Sequence, residues 1–331
     1  MVVGYQESEN LTTNQKLIAG VVSGITTRFI SQPFDIIKLR TQLQAKAKVK
    51  TRTWLGLTWH MLKEEGITAF WHGHCLGQVH SVLSVSSQFH IYELTTKFVA
   101  DFFAVFFRHF PNNIRSFLMF LCGICAGCAS AALVSPLEVI RIRQMLVKAQ
   151  YGGMWRGAQT VYRIGGLPAF YEGLTASLAQ MGPQVGITFS VFRVVQPPIL
   201  MYLSQTTNGK KYEEVDESKI SKKNVLIAST VAGSIAGFIS KTLTYPFDLA
   251  KRRLQISSHR LDPTVKVPSL SRHVVKCSSL LGCIKDMIRK VRPRLFTGWG
   301  ITIYKAQINS VVALTTYEMM CQVLRESNTD T

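Results

Sequence analysis

Three short segments of the sequence place one acid and two bases at the same spacing after a proline. The segments lie at 32–40, 135–143 and 245–253, with the acid two residues after the proline and the bases five and seven residues after it. On a helix, an acid and a base three residues apart project from one face. Three such helix ends could therefore form ion pairs with one another.

The same segments share two further positions. Glycines precede each proline by thirteen and nine residues, at Gly20 and Gly24, Gly123 and Gly127, and Gly233 and Gly237. One proline-acid-base element would usually be a solvated helix end, but three matched copies about a hundred residues apart indicate an internal repeat. Small residues four apart let a neighbouring membrane helix approach closely, and a late proline kinks the helix.

The apolar runs that carry these segments are long enough to cross a bilayer, which takes about twenty residues. The chain has 331 residues, 47% of them hydrophobic and only 17% charged. Candidate spans lie at 17–34, 73–92, 116–137, 173–192, 224–247 and 295–320. Some contain charges, which are expensive against lipid and should face an aqueous interior.

We therefore expect an all-α membrane protein with six transmembrane helices, in three pseudo-symmetric tandem repeats around a central cavity. The predicted repeats span 14–108, 114–205 and 222–325. A polar N-terminal tail at 1–13 and a C-terminal tail at 326–331 flank them, and we expect no cleavable targeting segment.

The formal net charge of +19 could indicate a nucleic-acid-binding protein. Basic runs at 46–52 and 285–294 would be the contacts. Because they lie between apolar spans, charged loops are the favoured interpretation, and we expect no nucleic acid as a partner.

Cys122, Cys125 and Cys128 share one helix face. Close helix packing is favoured over a metal or redox cluster as the reason for this spacing. The seven cysteines do not suggest a secreted disulfide framework, and no catalytic constellation is apparent.

The signature is similar to that of the mitochondrial carrier family, in which an acid-Gly, aromatic and base-Gly element follows downstream. That element is clear at 65–73, altered at 165–173, and reduced to Phe296 and Gly298 in the third repeat. The resemblance implies a transporter and not an enzyme, in the mitochondrial inner membrane, with both termini towards the intermembrane space. It also implies short matrix-side amphipathic helices, a functional monomer, and lipid partners that include cardiolipin.

The resemblance further implies two gates. The matrix gate would consist of the pairs Asp35 with Arg141, Glu138 with Lys251, and Asp248 with Lys38, braced by Gln42 and Gln255. Met145 occupies the third bracing position, so one brace is missing. The cytoplasmic gate would comprise Tyr92, Glu93, Arg193, Tyr317 and Glu318. It lacks the usual bases, so we expect a weak gate in which Arg193 pairs with Glu93 or Glu318.

Charges expected in the cavity indicate a phosphorylated solute. Arg28 and Lys241 each lie five residues before a proline, a position that the resemblance implies faces the cavity. Lys305 lies thirteen residues before Glu318, near a position that the resemblance implies contacts the solute. Three cations without local acids suit a polyphosphate better than an amino acid or a dicarboxylate. Side chains that could contact an aromatic heterocycle are His80, Gln88, Gln180, Met181 and Gln184. For the polar ones, interhelical hydrogen bonding is an equal alternative, and snorkelling is an alternative for Arg28 and Lys241.

Within the family, residues 69–74, 240–249 and 317–321 are similar to members that carry thiamine pyrophosphate. This similarity implies import of thiamine pyrophosphate in exchange for nucleotides or deoxynucleotides, as a transported solute. We expect no cofactor and no metal site. The alternatives are an adenine nucleotide or coenzyme A carrier, and a non-transporting membrane scaffold of the same fold.

Overall fold

The computed structural model describes residues 12–43, 54–106, 112–208, 222–260, 275, 277, 279–290 and 296–329. All regular elements in these ranges are helical, which confirms the predicted all-α class. The helices are α1 (Thr13–Leu43), α2 (Trp54–Glu65), α3 (His74–Phe106), α4 (Asn112–Leu146), α5 (Lys148–Tyr151), α6 (Met154–Gly165), α7 (Leu174–Asn208), α8 (Lys222–Leu243), α9 (Tyr245–Leu254), α10 (Leu280–Lys290) and α11 (Trp299–Thr329). The basic run 46–52, residues 291–294 of the second run, and most of the N-terminal tail lie outside the described residues.

Six long helices surround the cavity when α8 and α9 are counted as one interrupted helix. Helix α3 packs along α4, and α7 packs along α8. Helix α11 packs along α1, which joins the end of the described chain to its start. This contact closes the three repeats into a ring.

Hydropathy alone identifies few of these helices as membrane spans. Within the described ranges, two stretches, Leu121–Leu146 and Leu167–Leu203, are long and apolar enough to cross a membrane. Helices α1 and α11 carry charges inside their apolar runs, such as Arg28, Asp35 and Lys305. Such charges lower the mean hydropathy, yet they are compatible with a span when they face the bundle interior.

Proline acts differently in the three signature segments. Pro33 and Pro136 lie inside the continuous helices α1 and α4. Pro246 lies in the first turn of α9, after α8 has ended at Leu243. Between them, both the backbone N–H and the hydroxyl of Thr244 donate to the Ser240 carbonyl, at 3.0 and 2.8 Å. The third repeat therefore has a break where the other two have unbroken helices.

The repeated glycines do not form the close helix contacts predicted from the sequence. A Cβ atom would meet nothing within 4 Å at Gly20, Gly24, Gly123 and Gly237. At Gly127 it would lie 3.3 Å from the Met181 sulfur, a side chain and not a neighbouring backbone. The packing prediction is therefore wrong for this conformation, because most of these glycines border open space.

The most densely packed region is the end of the bundle that holds Pro33, Pro136 and Pro246, called here the signature end. Its buried apolar cluster combines residues from the first two repeats with a contribution from the third, and includes Ile36, Leu43, Leu57, Met61, Met145, Leu146, Tyr151 and Ile256. These side chains come from long helices and from the short helices α2 and α5. The short helices therefore hold the ends of the long helices together.

Buried ion pairs reinforce this end in the first two repeats. In the first, Arg40 binds Glu65, the acid of the acid-Gly element. In the second, Gly165 has replaced that acid, and Arg143 binds Glu172 at 2.7 Å instead. Glu172 also accepts the backbone N–H of Ser258 at 3.1 Å, which ties the second repeat to the third. The altered element thus supplies its carboxylate from a different position.

The described cysteines include one disulfide, between Cys277 and Cys283, which the sequence analysis did not anticipate. Cys122, Cys125 and Cys128 are free thiols on α4. Within the described ranges, the His, Cys, Asp and Glu side chains form no group suited to a metal ion.

Replacing Glu172 with Gln should destabilise the protein, because the fully buried Arg143 would lose its carboxylate. Removing one partner of a buried ion pair costs about 3 kcal/mol. We expect a lower unfolding temperature for the purified Glu172→Gln protein. The matched control is Glu93→Gln, which breaks the exposed pair with Lys97 and should leave the unfolding temperature almost unchanged. Equal shifts in the two variants would contradict this assignment.

His72, between the short helices and α3, should make stability depend on pH. Burial, followed by the charges of Lys148 and Arg40, lowers the pKa of His72 to about 4. Because an unfolded histidine titrates near pH 6.5, its neutral form stabilises the fold above that pH and loses this effect as pH falls towards 4. Wild type should therefore lose stability relative to His72→Gln between about pH 6.5 and 4. Parallel pH profiles of the unfolding temperature would show that His72 titrates normally.

Candidate binding site in the central cavity

The bundle encloses a cavity of about 300 Å³ next to the signature end. Its lining combines residues from all three repeats and contains several charged side chains. The lining residues are Asp35, Lys38, Leu39, Gln42, Arg141, Ile142, Met145, Lys241, Asp248, Arg252, Thr302, Lys305, Ala306 and Asn309. The floor of this cavity is formed by the three signature segments.

Three ion pairs join these segments into a ring, and each pair connects two different repeats. Lys38 lies 2.8 Å from Asp248, Arg141 lies 3.1 Å from Asp35, and Lys251 lies 2.9 Å from Glu138. All six side chains are less than one-fifth exposed. Charges removed from water in this way need partners, so the pairs favour closure of this end.

Each carboxylate of the ring also faces a second cation. Lys305 forms an ion pair with Asp35, and Arg252 lies 2.9 Å from Glu138. Lys241 forms no ion pair within the described residues, but its charge attracts that of Asp248. Three carboxylates therefore lie among six bases, which leaves the floor with a surplus of positive charge. A site of this kind attracts anions.

The predicted braces form hydrogen bonds with residues other than the six ring partners, and they do so in different ways. The Gln42 side chain donates to the Tyr245 hydroxyl at 3.0 Å. The Gln255 side chain accepts a hydrogen bond from Arg252 at 3.0 Å. At the third position, the Met145 side chain lines the cavity and only its backbone carbonyl accepts a bond, from Arg40 at 3.2 Å. Two of the three positions therefore carry a side-chain hydrogen bond.

Arg28 and His80 lie close to the ring but are not part of the cavity lining. The charge of Arg28 interacts with those of Arg141 and Asp35. His80 lies within electrostatic range of Glu138, Arg141 and Arg28. Both side chains are partly buried. Arg28 and His80 therefore lie within electrostatic range of the ring but outside the cavity lining.

The four remaining predicted contacts divide into two groups. Gln88 and Met181 both lie near Gly127, where the missing side chain leaves room for them. The Gln180 side chain donates to the Gln184 side chain at 3.2 Å. None of these four residues lines the cavity. Lys241 and Lys305 therefore both line the cavity, whereas Gln88, Gln180 and Gln184 do not.

The predicted cytoplasmic gate is not formed in this conformation. Glu93 pairs with Lys97, one turn along the same helix, at 2.7 Å. Arg193 is exposed, and within the described residues neither it nor Glu318 takes part in an ion pair. Tyr92 is partly exposed, and Tyr317 packs against the small cluster of Ala19 and Cys321. This conformation does not show the expected pairing of Arg193 with Glu93 or Glu318, and the pairing stays a prediction for a conformation in which this end is closed.

Sequence reasoning missed Arg252, Thr302 and Asn309 in the lining. Asn309 has a buried Oδ1 atom without a hydrogen-bond partner among the described residues. A signal for Arg252 was present in the sequence. It occupies the position between the two signature bases, where the other repeats have Leu39 and Ile142.

Comparison with known proteins agrees with this geometry. The family model for mitochondrial carrier protein matches residues 9–103, 112–201 and 222–328. Thiamine pyrophosphate carriers of Macaca fascicularis and Homo sapiens are each 32% identical to this chain, over 99% of it and 98% of the relative. The thiamine pyrophosphate carrier 1 of Aspergillus niger is 25% identical over 95% of this chain and 94% of the relative.

The three matched segments coincide with the three structural repeats, and the similarity extends over essentially the whole chain. The prediction that the protein is a transporter and not an enzyme is thereby confirmed. The chain belongs to the mitochondrial carrier protein family, whose members act in mitochondrial membranes.

Proposed function

We propose that this protein imports thiamine pyrophosphate across the mitochondrial inner membrane in exchange for nucleotides or deoxynucleotides. The observation that carries the proposal is the cationic cavity, whose floor holds Lys241 and Lys305 beside the carboxylate ring. A diphosphate group matches this surplus charge. The similarity to relatives named as thiamine pyrophosphate carriers supports the choice of solute.

In the proposed orientation, the signature end faces the matrix and both termini face the intermembrane space. The ring of ion pairs would then be the matrix gate, closed in this conformation. The unformed gate around Glu93 and Arg193 leaves the other end open. A single chain encloses the cavity, which supports function as a monomer. Anionic lipid such as cardiolipin would bind at the matrix-side helix ends.

Transport would follow from alternating closure of the two ends. The diphosphate would bind Lys241 and Lys305, with Arg28 close by, while the heterocycle points towards His80, Gln88 and Met181. Contacts with the solute would offset the loss of the ion pairs in one gate, so that the other gate can form. Because an empty carrier lacks these contacts, it would change state slowly, which favours exchange over net transport.

Uptake of labelled thiamine pyrophosphate into proteoliposomes loaded with nucleotide should depend on the floor cations. Lys241→Ala and Lys305→Ala should each reduce uptake at least about tenfold, the equivalent of about 1.4 kcal/mol in solute binding. Lys285→Ala, on the exposed face of α10, is the matched control and should transport normally. Wild-type uptake should also stop when internal nucleotide is omitted.

Other outcomes would overturn parts of the proposal. Normal uptake by both floor variants would reject the binding site. Uptake of ADP or coenzyme A without uptake of thiamine pyrophosphate would favour the carriers of those solutes. A folded wild-type protein that transports no phosphorylated solute would favour a membrane scaffold.

The ring pair Lys38 with Asp248 should act as one unit in transport. Lys38→Gln and Asp248→Asn each break the same 2.8 Å contact, so each should slow uptake. The double variant should be about as slow as the slower single variant, because two residues that share one interaction are not additive. Multiplicative losses in uptake rate would show that the two charges act independently.

A further inference from the structure

The third signature segment differs from the other two at its central position. Leu39 and Ile142 are apolar there, whereas the third repeat has Arg252. All three side chains line the cavity floor. The pseudo-symmetric packing of the repeats therefore brings one extra cation into a place that is otherwise apolar.

The ring does not need Arg252 to neutralise one of its carboxylates. Its Nη1 atom lies 2.9 Å from Glu138, but Glu138 already has Lys251 at 2.9 Å. Lys305 is in the same situation, because its partner Asp35 already has Arg141. Both carboxylates would therefore keep one base if Arg252 and Lys305 were bound to something else.

Both cations can be reached from the cavity. Their side chains are about one-fifth exposed, at 22% for Arg252 and 23% for Lys305, more than any of the six ring partners. A guanidinium group binds phosphate oxygens with two parallel hydrogen bonds, and an ammonium group binds them as a point charge. Together they suit an anion with two or more charges.

We propose that Arg252 and Lys305 form a phosphate subsite on the cavity floor, whose anion draws each cation away from a ring carboxylate. The inference deepens the proposed function: it adds Arg252 to the solute site and places the terminal phosphate on the gate itself. The ligand class is a diphosphate or polyphosphate.

The subsite would make opening of the signature end depend on the solute. Without an anion, Asp35 and Glu138 are each held by two cations, and the end is closed. With the anion bound, each carboxylate has one cation and the ring is held less strongly. Solute binding thus removes two of the contacts that oppose opening, without leaving a buried carboxylate unpaired.

The test uses inorganic pyrophosphate, which lacks the heterocycle, and the full chain purified in detergent. Its dissociation constant is measured for wild type, Arg252→Gln, Lys305→Gln and Arg289→Gln at low and high salt. Arg289 is exposed on α10, so Arg289→Gln is the matched control. Arg252→Lys, which keeps the charge, guards against a loss of folding in Arg252→Gln.

We expect Arg252→Gln and Lys305→Gln each to weaken pyrophosphate binding about tenfold or more, with a smaller salt dependence. Arg252→Lys should recover most of the affinity, and Arg289→Gln should match wild type. Undiminished binding in both Gln variants would overturn the subsite, as would the absence of binding to wild type. If Lys241→Ala alone abolished binding, the proposed function would survive without the subsite. If pyrophosphate bound as expected but thiamine pyrophosphate were not transported, the subsite would survive with another solute.

Discussion

The need to pair buried carboxylates determines how this protein is assembled. Asp35, Glu138 and Asp248 lie on three different repeats, and each finds its nearest cation on a neighbouring repeat. In this conformation the three carboxylates form their ion pairs with bases of other repeats. The three units are therefore completed only by one another, and the contact between α11 and α1 places the third repeat beside the first. The same ring closes the cavity and gives it a charged floor.

The repeated spacing and the family resemblance together predicted much of this arrangement. A motif repeated three times in register predicts the helices, the order of the repeats and which helix ends meet. This is because pseudo-symmetric repeats bring equivalent residues to equivalent positions around one axis. Lys241 and Lys305 were found by counting from the proline and from Glu318 to positions that the family resemblance places in the cavity. Both lie in the lining of the cavity.

The features that were missed are those in which the repeats differ. Arg252 replaces an apolar residue, and Glu172 provides a carboxylate that the acid-Gly position has lost. A pattern that treats the three repeats as identical predicts neither residue's role. The partners of Arg252 and Glu172 depend on side-chain geometry, which the sequence does not give. At the opposite end, Glu93 has a local partner in Lys97 that the motif does not include. Gln180 and Gln184 illustrate a further limit, since polar side chains one turn apart can satisfy each other.

The interruption at Thr244 gives the third repeat a mechanical property that the other two lack. Bending α1 or α4 would distort a continuous helix, whereas α8 and α9 are already separate at Leu243 and Tyr245. Two backbone hydrogen bonds still cross the interruption, from the Thr244 N–H to the Ser240 carbonyl at 3.0 Å and from the Asp248 N–H to the Thr244 carbonyl at 3.4 Å. If the signature end opens as proposed, the interrupted helix would allow the movement to begin at the third repeat and not at all three repeats together. The segment that carries Asp248, Lys251 and Arg252 would tilt first. The ends of the continuous helices α1 and α4 would follow.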